Sequence, residues 1–315
     1  ILVTLSLFLV YDLILEKRSL LIKGFELILS LGLLVWSMGI YQVFYSFYIS
    51  GCICCYILYL CNDERRNEKF IKQIKIIVFL ITHFVVAFIV NQLIVNVIFG
   101  GMGSYLSNRI MWGTVPNDVI FEELNKSILS IIKGEGYIYN QLLLVCMLGF
   151  LAYYIYRCIK KDKVEIKILL ILVMIVLFLS PFLLHFYMGG TPPMRGQFSI
   201  QLVAAFGMMF LLKILENNKY KLLVVMKIGV ILLGLVYLHK QMSITSRLFY
   251  TDDICNQQDL GVAQQIKADM QKLDIDNTVI NNVVIVGSWQ APLNNACLSF
   301  DMYGISNYRW DYSAA

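Results

Sequence analysis

Charge is what this sequence has little of: Asp, Glu, Lys and Arg make up 15% of its 315 residues, where soluble proteins carry roughly a quarter. The shortfall is concentrated in long apolar runs, and apolar residues reach 59% of the chain with a mean hydropathy of +0.70. Such a composition excludes a water-soluble domain and makes lipid the solvent for most of the chain. Familiar site motifs are absent too. No Walker, dinucleotide-binding or EF-hand pattern occurs, so no nucleotide or calcium site of those types is expected. The eight cysteines form no metal-ligand spacing; Cys52, Cys54 and Cys55 stand inside an apolar run, where a thiol acts as a small hydrophobe. No cofactor or metal site is evident, although the residues leave open whether a divalent metal takes part. The net charge of +5 lies mostly in loops, and its sign does not point to nucleic acid.

What is present is a series of apolar segments near residues 1–15, 22–38, 42–61, 76–99, 138–157, 166–187, 197–213 and 222–239. The expected fold is an all-α polytopic transmembrane bundle of about eight helices over 1–239, followed by a polar tail over 240–315. The chain opens at Ile1 inside the run ILVTLSLFLVYDLIL, without the charged region of a signal peptide, and reads as a fragment of a longer protein. Alternate loops carry Lys17, Arg18 and Lys23; Arg65, Arg66, Lys69, Lys72 and Lys75; Arg157, Lys160, Lys161, Lys163 and Lys167; and Lys213, Lys219 and Lys221, sixteen cations in all. The other loops hold four: Arg109, Lys126, Lys133 and Arg195. The positive-inside rule then places the second set, and the tail, outside the cytoplasm. Trp36 with Tyr41, Tyr105 with Trp112, and Tyr153, Tyr154 and Tyr156 fall at segment ends, where amphipathic rings favour headgroups.

Within that frame a few polar residues stand where they are costly. The loop FYMGGTPPMRGQF places Arg195 among Gly189, Gly190, Gly196 and two prolines at a membrane boundary. A guanidinium there offers a planar fork for phosphate oxygens, and the glycines allow close backbone approach; the plainer reading is an arginine that snorkels to headgroups. His185 precedes that loop, after the kinking Pro181, and reads as structural rather than as a base. Tyr41, Gln42, Tyr45 and Ser46 mark the turn SMGIYQVFYS and face either a cavity or a neighbouring helix. The long loop 100–137 contains an expected amphipathic helix after Pro116, lying on the outer surface. Its Asp118, Glu122 and Glu123, with Arg109 and Trp112 ahead, line either a sugar site or a solvated face. Within the membrane, His83, Asn91, Gln92 and Asn96 read as interhelical glue.

The tail changes character. A loop is expected after Lys240, then a helix over about 258–273 with Leu260, Ala263, Ile266, Met270 and Leu273 on one side, then a short strand in NNVVIVG. Helix and strand together imply a small extracytoplasmic α/β appendage. Cys255 and Cys297 both fall in it and would be able to pair in an oxidising compartment.

Taken with IYQVFYSFYI, TPPMRGQFSIQLVAAF, QDLGVAQQIKADMQKL, VVIVG and YGISNYRW, the order of features resembles the bacterial type II Gtr glucosyltransferases, polytopic serotype-converting enzymes of the GT-C class. The resemblance implies transfer of a hexose, glucose in that family, from a polyprenyl-phosphate carrier to a cell-surface glycan such as O-antigen, outside the cytoplasmic membrane. It makes Tyr41, Gln42 and Arg195 members of the carrier and sugar site; the outer loops themselves offer Arg109 as a second phosphate ligand and Trp112, Asp118 and Glu122 on the sugar or acceptor side. The family's acidic motif lies in a first outer loop that this sequence lacks, so the general base is expected upstream of residue 1. Competing classes are a transporter or flippase for lipid-linked sugars, a polymerase or ligase, and an inactive fragment. Transporters favour internal repeats and charges at the midplane, and neither is visible.

Overall fold

The structure, a computed structural model, describes residues 1–16, 18–61, 68–98, 100, 110–135, 141–159, 164–193, 196–216, 221–272, 287–299 and 303–309. Helices dominate: α1 (Leu2–Leu15), α2 (Leu20–Ile40), α3 (Phe44–Cys61), α4 (Phe70–Ile98), α5 (Asn117–Lys133), α6 (Leu142–Ile159), α7 (Val164–Leu179), a 3₁₀ turn (Ser180–Phe182), α8 (Leu183–Met188), α9 (Phe198–Glu216) and α10 (Lys221–Lys272). Among the described residues the only β pairing is an isolated bridge between Trp112 and Val115.

Five helical stretches are long and apolar enough to cross a membrane: Leu20–Ile40, Phe70–Ile98, Val164–Met188, Phe198–Leu215 and Val224–Lys272. The apolar parts of α1, α3 and α6, Leu2–Leu15, Phe44–Leu60 and Leu142–Ile155, are shorter. Together these account for each apolar segment of the sequence. The reason is physical: without water to satisfy them, backbone amides in an apolar run must bond within the run, and only a helix does that inside one segment.

The chain divides into two compact units, residues 1–135 with 141–232, and residues 136–140 with 233–315. In the first, α1 packs on α2, α2 on α4, and α9 on α6, while α3 touches α1, α2, α7 and α9. Tyr48 and Ile57 of α3 are fully buried at this crossing point. A polar chain ties four helices. Ser6 donates to the Ser30 carbonyl at 2.8 Å, Ser30 Oγ lies 2.9 Å from His83 Nε2, and Tyr48 OH lies 2.8 Å from His83 Nδ1. Ser30 directs its one proton to the Leu27 carbonyl at 2.9 Å, so His83 donates from Nε2 to Ser30 and accepts from Tyr48 at Nδ1, an assignment made from the network. Asn91 joins α4 to its neighbours, accepting from Tyr45 OH at 3.1 Å and donating to the Val35 carbonyl at 3.4 Å. The glue reading of His83 and Asn91 describes these contacts; Asn96 is exposed.

α5 is the amphipathic helix expected in the long loop. Ile120, Leu124, Ser127 and Ile131 form its buried face, and Gly134 at φ 70° ends it, with Glu135 N–H bonded to Ser130 O at 2.8 Å. That face is covered by protein rather than left for a lipid surface, since Ile120 is fully buried.

α10 differs from expectation. Residues 240–257 are helical and continuous with the segment before them. Their polarity reads as a loop, but no glycine or proline stands between Gly234 and Gly261 to stop a helix. The described part of the second unit is this helix from Leu233 onward and the tail segments bonded to it. Residues 287–299 and 303–309 carry turns and no strand, and the strand expected at NNVVIVG falls, apart from Gly287, outside the described residues.

Candidate functional site

Three pieces of the first unit meet around the loop that follows α8. The first is the turn between α2 and α3. Tyr41 leaves α2 in an extended conformation, φ −156° and ψ 115°, with its N–H on the Ser37 carbonyl. The carbonyls of Tyr41 and Gln42 then accept from Phe44 and Tyr45, both at 3.1 Å, and start α3. Tyr41 stands edge-on to Phe44 with centroids 6.1 Å apart, and both Tyr41 and Gln42 are half-buried.

The second piece is the loop itself. Pro181 cannot continue α7 with a regular bond and falls in the 3₁₀ turn. α8 ends at Gly189, whose φ of 72° is left-handed and whose N–H reaches His185 O at 2.8 Å. The loop is closed on itself by Gly196 N–H to Pro193 O at 2.7 Å and by Gln197 Nε2 to Pro192 O at 2.8 Å. A Cβ at Gly196 would come within 3.1 Å of Leu184 Cδ2 and 3.3 Å of Val43 Cγ2. This close approach brings the 41–43 turn against the glycine and proline loop.

The third piece is the approach to α5. Met111 N–H donates to Met188 O and Trp112 Nε1 to Phe186 O, both at 2.8 Å. Trp112 keeps 38% of its surface exposed and stands edge-on to Phe121 at 6.1 Å. A Cβ at Gly189 would lie 3.1 Å from Trp112 Nε1 and 3.2 Å from Ile120 Cγ2, so the glycine is required by space as well as by φ.

The loop therefore meets Trp112 at its Gly189 end and Val43, the neighbour of Tyr41 and Gln42, at its Gly196 end. Asp118, in the first turn of α5, and Glu122, one turn further, are exposed and make no hydrogen bond or ion pair among the described residues. Arg109 and Arg195 lie outside the described residues, although Gly196, which follows Arg195, is in place.

Two features escape a reading by sequence alone. His185 has no exposed surface and neither ring nitrogen has a hydrogen-bond partner among the described residues; its ring stands edge-on to Phe182 at 5.6 Å. Arg18 gathers three carboxylates, Asp12 at 2.8 Å, Glu16 at 2.6 Å and the buried Glu26. Its bond to Glu16, with Asp12 and Glu26 beside it, holds the guanidinium above its ordinary pKa. Glu26 stands within an apolar segment, where a carboxylate is expensive, and that was the available signal.

Several apolar helices of membrane-crossing length define the class as a multi-pass membrane protein. The family described as Glucosyl transferase GtrII matches residues 2–212, and the chain belongs to that family. It is thus a glucosyltransferase of the type II Gtr kind. The match takes in the 41–43 turn, α5 and the loop after α8 and stops within α9, so the tail motifs QDLGVAQQIKADMQKL, VVIVG and YGISNYRW lie beyond it. No curated protein and no solved structure matches the chain.

Proposed function

We propose that this protein transfers a glucosyl unit from a polyprenyl-phosphate donor to a cell-surface glycan, with the reaction taking place on the non-cytoplasmic side of the cell membrane in a GT-C-like architecture. The observation that carries the reading is the packing of the 41–43 turn against Gly196, with Trp112 bonded to Phe186 on the same loop. Tyr41 and Gln42 belong to the turn whose Val43 meets Gly196, the residue that follows Arg195 in the chain. The sixteen-to-four distribution of cations supports the sidedness.

A lipid-linked donor enters sideways from the bilayer, so its phosphate arrives at headgroup level and its sugar just beyond. In this reading Arg195, helped by Arg109, takes the phosphate through charge-assisted bonds, while Tyr41, Gln42 and Trp112 hold the sugar. Asp118 and Glu122 face the acceptor. The acceptor hydroxyl oxygen bonds to the anomeric carbon as the bond from that carbon to the phosphate oxygen breaks; the hydroxyl proton passes to a carboxylate base, and the charge left on the phosphate is met by arginine.

The test is glucose incorporation into surface polysaccharide by the full-length protein. Arg195→Ala is expected to lower it by about ten- to a hundredfold, the worth of a hydrogen-bonded charge. Arg195→Lys keeps the charge but loses the fork and is expected to fall in between. Full activity in both variants removes the phosphate clamp.

A further inference from the structure

The chain after α10 is fastened to the helix at several points. Arg247 Nε donates to Ala296 O at 3.0 Å, Leu298 N–H to Thr251 Oγ1 at 2.7 Å and Gln258 Nε2 to Pro292 O at 3.1 Å. Further along, Asp259 accepts from Ser306 Oγ at 2.6 Å and from the Asn307 backbone and side-chain amides at 2.7 and 3.0 Å. Thr251 and Cys255 are four residues apart, one above the other on the same helix face. The residue bonded to Thr251 is the immediate successor of Cys297. Cys255 is 2% exposed and Cys297 half-buried, and both thiols are free. Burial raises the Cys255 thiol above its ordinary pKa, with Asp259, Asp252 and Cys297 adding to that.

We propose that Cys255 and Cys297 are a disulfide pair that clasps residues 287–309 onto α10, closed by exchange with an oxidised dithiol protein. Cys297, the more exposed, attacks the oxidant's disulfide as a thiolate and forms a mixed disulfide. Cys255 then attacks the Cys297 sulfur and expels the oxidant's second sulfur. One S–S bond forms in this chain as one breaks in the oxidant; two electrons pass to the oxidant, and its two sulfurs end as thiols after taking up the two protons. The need for a clasp follows from the small size of the unit, whose described tail contacts are hydrogen bonds, a few buried apolar groups such as Ala291 and Leu298, and the Phe249–Tyr303 ring pair. The pairing rests on the outward placement of the tail proposed above, because disulfides persist in oxidising compartments.

The experiment uses the full-length protein in cells quenched with N-ethylmaleimide, digested with trypsin without reductant and read by mass spectrometry. Cleavage after Arg247, Lys267, Lys272 and Arg309 releases peptides 248–267 and 273–309. The expected result is one linked species of the two, lost on reduction and absent in Cys255→Ser and in Cys297→Ser. An epitope placed after Ala315 reports the side of the membrane independently. Alkylated cysteines with an epitope reached from outside overturn the pairing and leave the sidedness standing. Alkylated cysteines with a shielded epitope overturn both.

Discussion

Gly189 carries two constraints at once: a left-handed φ of 72° and neighbours that leave no room for a methyl group. An L-residue there stores about 1–3 kcal/mol of backbone strain, and the added Cβ presses on Trp112 and Ile120. Gly189→Ala is therefore expected to lower stability by about that amount, seen as a reduced unfolding midpoint in detergent. Gly229→Ala is the control, because nothing lies within 4 Å of a Cβ there and alanine favours the helix. An unchanged midpoint for Gly189→Ala would falsify the close packing of α5 on the loop. Gly196 asks a different question. Valine in its place pushes Val43 and Leu184 away, moving the turn relative to the loop while leaving Tyr41 and Gln42 unaltered. Glucose transfer is expected to drop by roughly tenfold or more, since displacements near 1 Å are that costly in a preorganised site; a wild-type rate sinks the shared site. Tyr41 and Gln42 stood out in the sequence because an apolar hairpin can use Leu or Gly there, and the three glycines because they allow close backbone approach. Trp112 bonded to Phe186, and Arg18 among Asp12, Glu16 and Glu26, were not, since those partners are set by tertiary packing that local pattern does not encode.

Among the elements, the apolar segments fell where the sequence put them because one rule, backbone satisfaction in lipid, decides each segment alone. α5 was legible for a similar local reason, its buried positions recurring at three and four residues. α10 was misread because polarity was taken as a break, whereas helices end at specific chemistry and none is present before Gly261. The polar chain through Ser30, His83 and Tyr48 shows how the elements are held once formed. In lipid the hydrophobic effect does not drive helices together, and interhelical hydrogen bonds contribute about 0.6 kcal/mol on average, with maxima near 1.7. A double-mutant cycle of Tyr48→Phe and His83→Phe, followed by unfolding in detergent, is expected to give a coupling energy of about 0.5–1.5 kcal/mol. Additive losses would show that the two side chains meet by packing only.

For the whole molecule the strongest statement available from the sequence concerns orientation, and it follows from arithmetic on loops rather than from packing. Sixteen cations against four is a bias that translocation reads directly, since each Lys or Arg in a short loop resists crossing the membrane. The two stretches richest in cations, 62–75 and 157–167, carry five each, so in the proposed orientation they are the strongest cytoplasmic anchors. A periplasmic phosphatase reporter fused after residue 68 or 162 is expected to be inactive, and one fused after residue 117 or 315 active, in cells making the full-length protein up to each junction. The reverse pattern would place the 41–43 turn, α5 and the loop after α8 on the cytoplasmic side, where neither an outward glycan nor an oxidising partner for Cys255 and Cys297 is found. Neutralising Arg65, Arg66, Lys69, Lys72 and Lys75 together to Gln separates cause from correlation. If the bias sets the orientation, that change is expected to raise phosphatase activity at residue 68 and lower it at 117, because the remaining loops no longer agree on one frame. No change at either junction would mean that α2 to α4 take their orientation from packing instead.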